Sequence, residues 1–185
     1  MTSSTVAAFL GLLTLPAMLL IAAAVVIAVG ARVSPRLSDA RAWLVREFGA
    51  NAVAMAWVVS LVATSGSLYF SEGAGFVPCE LCWYQRVTMY PLVVVLGVAA
   101  FRNSRLVRWY AVPFAGVGAL VAIYHYALQR VPALDTGTCA PEAPCTLTWV
   151  NEFGFISIPL MALTAFGAIL VLLLVFHRQP LDSSS

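Results

Sequence analysis

The sequence predicts an all-α membrane protein with five transmembrane helices, and three observations carry that prediction. Of its 185 residues, 62% are hydrophobic and only 10% charged, whereas a soluble domain carries roughly a quarter. Five apolar stretches approach or exceed the ~20 residues with which a helix crosses a ~30 Å hydrocarbon core. These stretches lack the alternation of a β-barrel strand, the other structure that satisfies its backbone in lipid.

The first stretch covers residues 5–30. Ala28-Val29-Gly30 at its end resembles a signal-peptidase site. However, Met1-Thr2-Ser3-Ser4-Thr5 carries no positive charge and the apolar run outlasts that of a signal peptide, so a retained helix is expected. In segment 34–50, Pro35 is followed by Leu37, Ala40, Trp43, Leu44 and Phe48. That pattern suits a short helix at the membrane surface, although a plain connector is the simpler expectation. The remaining spans are placed at 51–71, 84–100, 110–128 and 154–176, the third able to start somewhat earlier. Pro16, Pro91, Pro113 and Pro159 fall within or at the ends of spans, where membrane helices tolerate them.

Charge orients the spans. The ten cations are all arginines, and the net charge of +2 points to no nucleic-acid partner. Arg32, Arg36, Arg41, Arg46, Arg102, Arg105, Arg108 and Arg178 all fall on one side of a five-span chain. The positive-inside rule makes that side cytoplasmic, which leaves all four cysteines outside. Trp83, Trp109 and Trp149 lie near span ends, where amphipathic rings meet headgroups.

Chemistry concentrates in Pro78-Cys79-Glu80-Leu81-Cys82-Trp83-Tyr84-Gln85-Arg86. A two-residue spacer lets two sulfurs meet across one helical turn, and a helix N-terminus there stabilises a thiolate. Arg86 lies one turn beyond Cys82 on the same face. A guanidinium at a membrane boundary needs a partner, and a sulfur anion or a polar ligand head beside Cys82 would supply one. Taken alone, the pair also suits a structural disulfide or half of a zinc site; Arg86 and the lipid boundary favour redox exchange.

The second pair, Cys139 and Cys145, brackets Ala140-Pro141-Glu142-Ala143-Pro144 in a polar loop. Its spacing fits no common zinc knuckle. As a staple it would close a very small loop and stabilise little. An exposed disulfide in such a loop is instead a target for an incoming thiolate. In Tyr124-His125-Tyr126, near the outer end of the fourth span, His125 is either a hydrogen-bonded packing residue or a donor to a bound electron acceptor. Gln85 and Gln129 lie at similar depths with no comparable signal.

These residues resemble the DsbB family of disulfide-bond-formation membrane proteins, particularly its compact BdbC-like branch. The resemblance spans about residues 52–176 and rests on Cys79 through Arg86, Tyr124-His125, the Cys139/Cys145 pair, and Phe153-Gly154-Phe155-Ile156-Ser157-Ile158-Pro159. It implies a four-helix transmembrane bundle, here with one extra N-terminal transmembrane helix, in the inner (cytoplasmic) membrane of a bacterium. It also implies a membrane quinone, ubiquinone or menaquinone, beside the first pair, and a soluble, DsbA-like thioredoxin-fold oxidase docking at the second. By position, Cys139 matches the cysteine attacked by the partner. Cys145 matches the one that passes electrons to Cys79, and Cys82 the one whose thiolate meets the quinone. Arg86 and His125 match residues of the quinone site. Two departures stand out: helix 5–30 is extra, and the Cys139–Cys145 spacing is shorter than in the enterobacterial branch. The vitamin K epoxide reductase family places its loop pair before its CxxC, the opposite order.

The expected organisation is an N-terminal helix and basic connector over 1–50, a thiol oxidoreductase domain over 51–177, and a tail over 178–185. The rival from another class is a non-enzymatic membrane protein with two structural disulfides or a four-cysteine metal site.

Overall fold

The computed structural model describes residues 3–102, 106–135, 137, 139–140 and 143–176. Arg105, Pro141, Glu142, Arg178 and the tail lie outside the described residues. Helix α1 spans Ser3–Gly30, α2 Pro35–Phe48, α3 Ala52–Leu68, α4 Glu80–Arg102, α5 Val107–Arg130 and α6 Ile158–Val171. Wide π-type turns extend α3 over Tyr69–Gly73 and α6 over Leu172–Phe176. All but α2 are long and apolar enough, with these extensions, to cross a membrane.

Helices α3 to α6 form a four-helix bundle in which α3 packs on α4, α4 on α5, α5 on α6, and α6 closes back on α3. Helix α1 stands outside this ring against α6. The predicted architecture, a four-helix bundle plus one extra helix, is therefore what the chain forms.

The core depends on small residues, because lipid supplies no hydrophobic drive between helices and close backbone approach must hold them. On α5, Ala111, Ala115 and Ala122 are wholly buried, and Gly118 sits among them. A Cβ at Gly118 would collide with the Phe166 ring and come within 2.7 Å of Thr88 Oγ1. Leu92 and Leu96 of α4 and Ile169 and Leu173 at the end of α6 fill the space between. Leu19, Leu20, Val94 and Leu120 instead point outward, where lipid would cover them.

Two features follow the sequence expectations and one boundary departs from them. Segment 35–48 forms the short helix that its pattern suits, with Pro35 in its first turn and no buried residue. Proline favours that position because its missing N–H has no partner there in any helix. The third span begins early, at Glu80. The fifth begins at Ile158 rather than 154, because Phe153 (φ 53°) and Gly154 (φ 79°) make a left-handed turn closed by an antiparallel bridge between Glu152 and Ile156. Arg130 donates to the carbonyls of Gly154 and Phe155, and the Tyr126 hydroxyl donates to the latter at 3.1 Å. The apolar composition of this turn disguised it as part of a span.

Candidate functional site

The turn before α4 positions the first cysteine pair. The Cys79 carbonyl accepts from Trp83 N–H at 3.1 Å, so Cys79 stands at the head of α4 and Cys82 lies in its first turn. The two sulfurs are 3.1 Å apart, within one hydrogen bond. Cys79 is buried and Cys82 half-buried. The hydrogen bond with Cys82 holds the Cys79 thiol down at about 4, against the opposing effect of burial, with His125 assisting. In the dithiol this hydrogen bond favours the thiolate at Cys79.

His125, 2% exposed, reaches this pair from α5: its Nε2 lies 3.6 Å from Cys79 Sγ. Its Nδ1 lies 3.0 Å from Gln85 Nε2. An amide nitrogen only donates, so Nδ1 accepts and the ring proton sits on Nε2, toward the sulfur. Sequence reasoning passed over Gln85, and only the fold reveals it as the residue that fixes this tautomer.

Arg86 is 8% exposed. Nε donates to Ser67 Oγ and Nη2 to the Ser67 carbonyl, both at 3.0 Å, and the guanidinium lies 5.1 Å from the centroid of the Trp83 ring. The guanidinium, for which a sulfur anion or a polar ligand head is the expected partner, thus has a protein partner in Ser67, at the end of α3. Serine in an apolar span gave no signal of this role.

Cys139 and Cys145 form a disulfide with their Cα atoms 5.9 Å apart. The bond is less exposed than expected, since Cys145 is wholly buried and Cys139 half-buried. Both pack in one apolar cluster with Cys79, Cys82, Leu81 and Leu128. The loop folds down onto the first pair, so that Pro144 and Leu147 share a small void with Cys79, Cys82 and His125.

A larger cavity, of about 310 Å³, runs down the bundle from Cys82, Gln85, Ser67 and Arg86. His125 is not among its lining residues, so it faces the cysteines from the other side. Phe70, Phe76 and Trp149 also line it as a stack of near-parallel rings, with centroids 5.8 Å and 5.0 Å apart. One turn beyond Arg86, Tyr90 also lines the cavity. Its hydroxyl is buried without a hydrogen-bond partner among the described residues.

Two thiols beside a buried histidine, under a packed disulfide and at the mouth of an apolar cavity within a helical bundle, define a membrane protein of disulfide bond formation. The chain belongs to the DsbB family (disulfide bond formation protein DsbB), which matches residues 49–176. It is 49% identical over 124 residues to disulfide bond formation protein C of Bacillus subtilis, covering 66% of this chain and 90% of that one. A probable disulfide formation protein of Oceanobacillus iheyensis is 45% identical over 131 residues, 70% of this chain and 90% of its own. A probable disulfide formation protein C of Halalkalibacterium halodurans is 40% identical over 130 residues, 70% and 95% of the two chains. No solved structure matches.

Proposed function

We propose that this protein reoxidises an extracytoplasmic, DsbA-like thioredoxin-fold oxidase and passes the electrons to membrane quinone. The observation that carries the proposal is the junction at Cys82: one cluster holds all four cysteines, and Cys82 alone of them also lines the large cavity.

The proposed relay follows from access. A partner thiolate attacks Cys139, the more open sulfur of the loop bond, and Cys145 leaves as a thiolate beside Cys79. Cys145 then attacks the oxidised first pair at Cys79, and the breaking Cys79–Cys82 bond releases Cys82 as a thiolate at the cavity. The partner's second thiolate resolves the mixed disulfide at its own sulfur, freeing Cys139. Cys139 next attacks Cys145 and re-forms the loop bond, leaving the first pair reduced by two electrons. His125 Nε2–H stabilises Cys79 when it bears charge.

The cavity suits a quinone. Its volume lies at the low end of the range for small-molecule sites, about 300–1,000 Å³, and its walls are largely apolar, with Gln85 and Arg86 near Cys82, Tyr90 below them, and the Thr14 and Thr164 hydroxyls bonded back to their own helices. Arg86 would hold an oxygen of the ring, with Tyr90 as a second donor one turn below. When bound, the quinone supplies the two-electron sink.

A second reading rests on one observation: the ligand atoms of Cys79, Cys82 and His125 lie within 4.8 Å of one another, close enough to hold a metal ion. The four-cysteine version of a metal site has no such support, because the loop cysteines bond to each other. One experiment separates the readings. Purified protein is mixed with a reduced thioredoxin-fold oxidase, with and without added quinone, and its metal content is measured. At most two partners oxidised per chain without quinone, one for each disulfide, and many with it, are expected. Stoichiometric zinc with no quinone-dependent turnover overturns the proposal.

A further inference from the structure

Helix α1 has no part in the relay. It precedes the region matched by the family, which begins at residue 49, and the cysteines, Arg86 and His125 all lie beyond it. Yet Leu10, Leu13, Thr14 and Ala17 of α1 form part of the cavity wall. Their spacing of three, one and three residues places them on one helical face. Thr14 turns its hydroxyl back to the Leu10 carbonyl at 2.8 Å, so the face presents apolar surface.

That face is held in position. Gly11 packs against Glu152 and Gly66 against Leu10 with little room for a Cβ, and Gly167 faces Ile21 at ordinary contact distance. Ala7 is buried with Phe70 and Val150. On α1 and α3, three lining residues are nevertheless open outward: Leu13 is 46% exposed, Val58 52% and Val62 46%. The cavity therefore opens sideways between α1 and α3, at a depth where both helices are apolar.

The cavity is also long. Its lining runs from Ser67 to Val58 on α3 and from Ile158 to Ala168 on α6, which at 1.5 Å per residue is about 15 Å. Its charged and amide groups stand at the Cys82 end, and the hydroxyls of Thr14 and Thr164 on its walls turn back to the Leu10 and Leu160 carbonyls of their own helices, which leaves largely apolar surface. This shape fits a polar ring at the top and an apolar chain that descends and leaves through the side.

We infer that α1 is the tail-side wall of the electron-acceptor site: Leu13 and Ala17 grip the apolar chain of a membrane-soluble quinone and give the protein its preference for long-tailed over tail-free acceptors. The inference rests on the proposed function.

The test introduces bulk on this face. Ala17→Phe fills the cavity below Tyr90, while Leu20→Phe, a control, adds bulk at a residue 71% exposed on the same helix. Saturable quenching of Trp149, which lines the cavity, reports binding as the difference from Trp149→Phe. Protein in lipid nanodiscs is titrated with a long-tailed quinone and with its tail-free ring analogue. Ala17→Phe is expected to weaken the long-tailed quinone about tenfold, the equivalent of ~1.4 kcal/mol, and the tail-free analogue less than twofold. Leu20→Phe should change neither. Equal effects on both quinones, or none on the long-tailed one, overturn the inference. Failure of the unaltered protein to bind either quinone overturns the proposed function instead. Single-turnover oxidation of the partner, which needs no quinone, shows that Ala17→Phe is folded. Should it not fold, Leu13→Ala enlarges the same wall and must shift the ratio of the two affinities, or the inference fails.

Discussion

Gln85 donates to Nδ1 of His125 across 3.0 Å, from α4 to α5, and so determines which histidine nitrogen faces Cys79. The contact joins the helix that carries the first cysteine pair to its neighbour, and it makes Cys79 reactivity depend on a residue with no direct contact to the sulfur.

The pH dependence of Cys79 tests that link. Its thiol is held at about 4, far below the ~8.5 of a free cysteine. The sign is that of a depressed acid: the thiolate persists above the folded value and is lost as pH falls through about 4. In the reduced protein, with the loop disulfide intact, alkylation of Cys79 should stay nearly level from neutral pH downward and then drop in that region. His125→Phe or Gln85→Leu should move the drop upward. An alkylation midpoint near that of a free thiol in the unaltered protein would remove the hydrogen-bonded pair from the explanation.

Arg86→Ala should raise the apparent KM for quinone or slow reoxidation by roughly one to two decades, as expected for losing a charge-assisted contact of about 1.5–3 kcal/mol. Ser67→Ala removes one of the groups that orient the guanidinium and should produce a smaller effect in the same direction. Partner oxidation in a single turnover should survive in both. Unchanged quinone kinetics in Arg86→Ala would remove this residue from the site.

Tyr90→Phe deletes a hydroxyl that has no partner among the described residues. If that hydroxyl serves a ligand oxygen, stability should not fall while quinone affinity drops by about 0.5–1.5 kcal/mol, roughly twofold to tenfold. Unaltered affinity would assign Tyr90 to packing alone.

Cysteine variants separate the roles of the two pairs. Cys145→Ser should accumulate a mixed disulfide through Cys139 with a partner that keeps only its attacking cysteine. Cys139→Ser should trap nothing at that position. Cys82→Ser should accept one partner dithiol and then stall. Non-reducing gels report all three, and normal turnover by Cys145→Ser would reduce the loop pair to a staple.

Topology is open to direct labelling. A membrane-impermeant thiol reagent applied to intact cells after reduction should reach Cys139, or Cys79 more slowly. Labelling that requires a breached membrane would invert the arrangement inferred from the arginines.

The bundle was legible because lipid imposes one simple rule, and apolar runs in α1, α3, α4, α5 and α6 obey it. The cysteines and Arg86 were legible because their spacing is chemical and local. Ser67 and Gln85 were not, since each owes its role to a partner on another helix. The burial of Cys145 was hidden for the same reason: a polar loop with two prolines reads as exposed until the helix ends beneath it are in place. Helix α1 was visible as a span, but its wall of the cavity exists only once α6 has positioned it.

The unequal burial of the loop disulfide has a consequence for regiochemistry. A nucleophile must approach a disulfide along the axis of its sulfur–sulfur bond, and Cys145 offers no surface from which to do so. In the proposed relay, any thiol arriving from solution, whether a protein or a small molecule, is directed to Cys139 and expels the same leaving group on the inner side. Packing alone would then set the polarity of the exchange, so that the docking partner need not specify which sulfur it strikes.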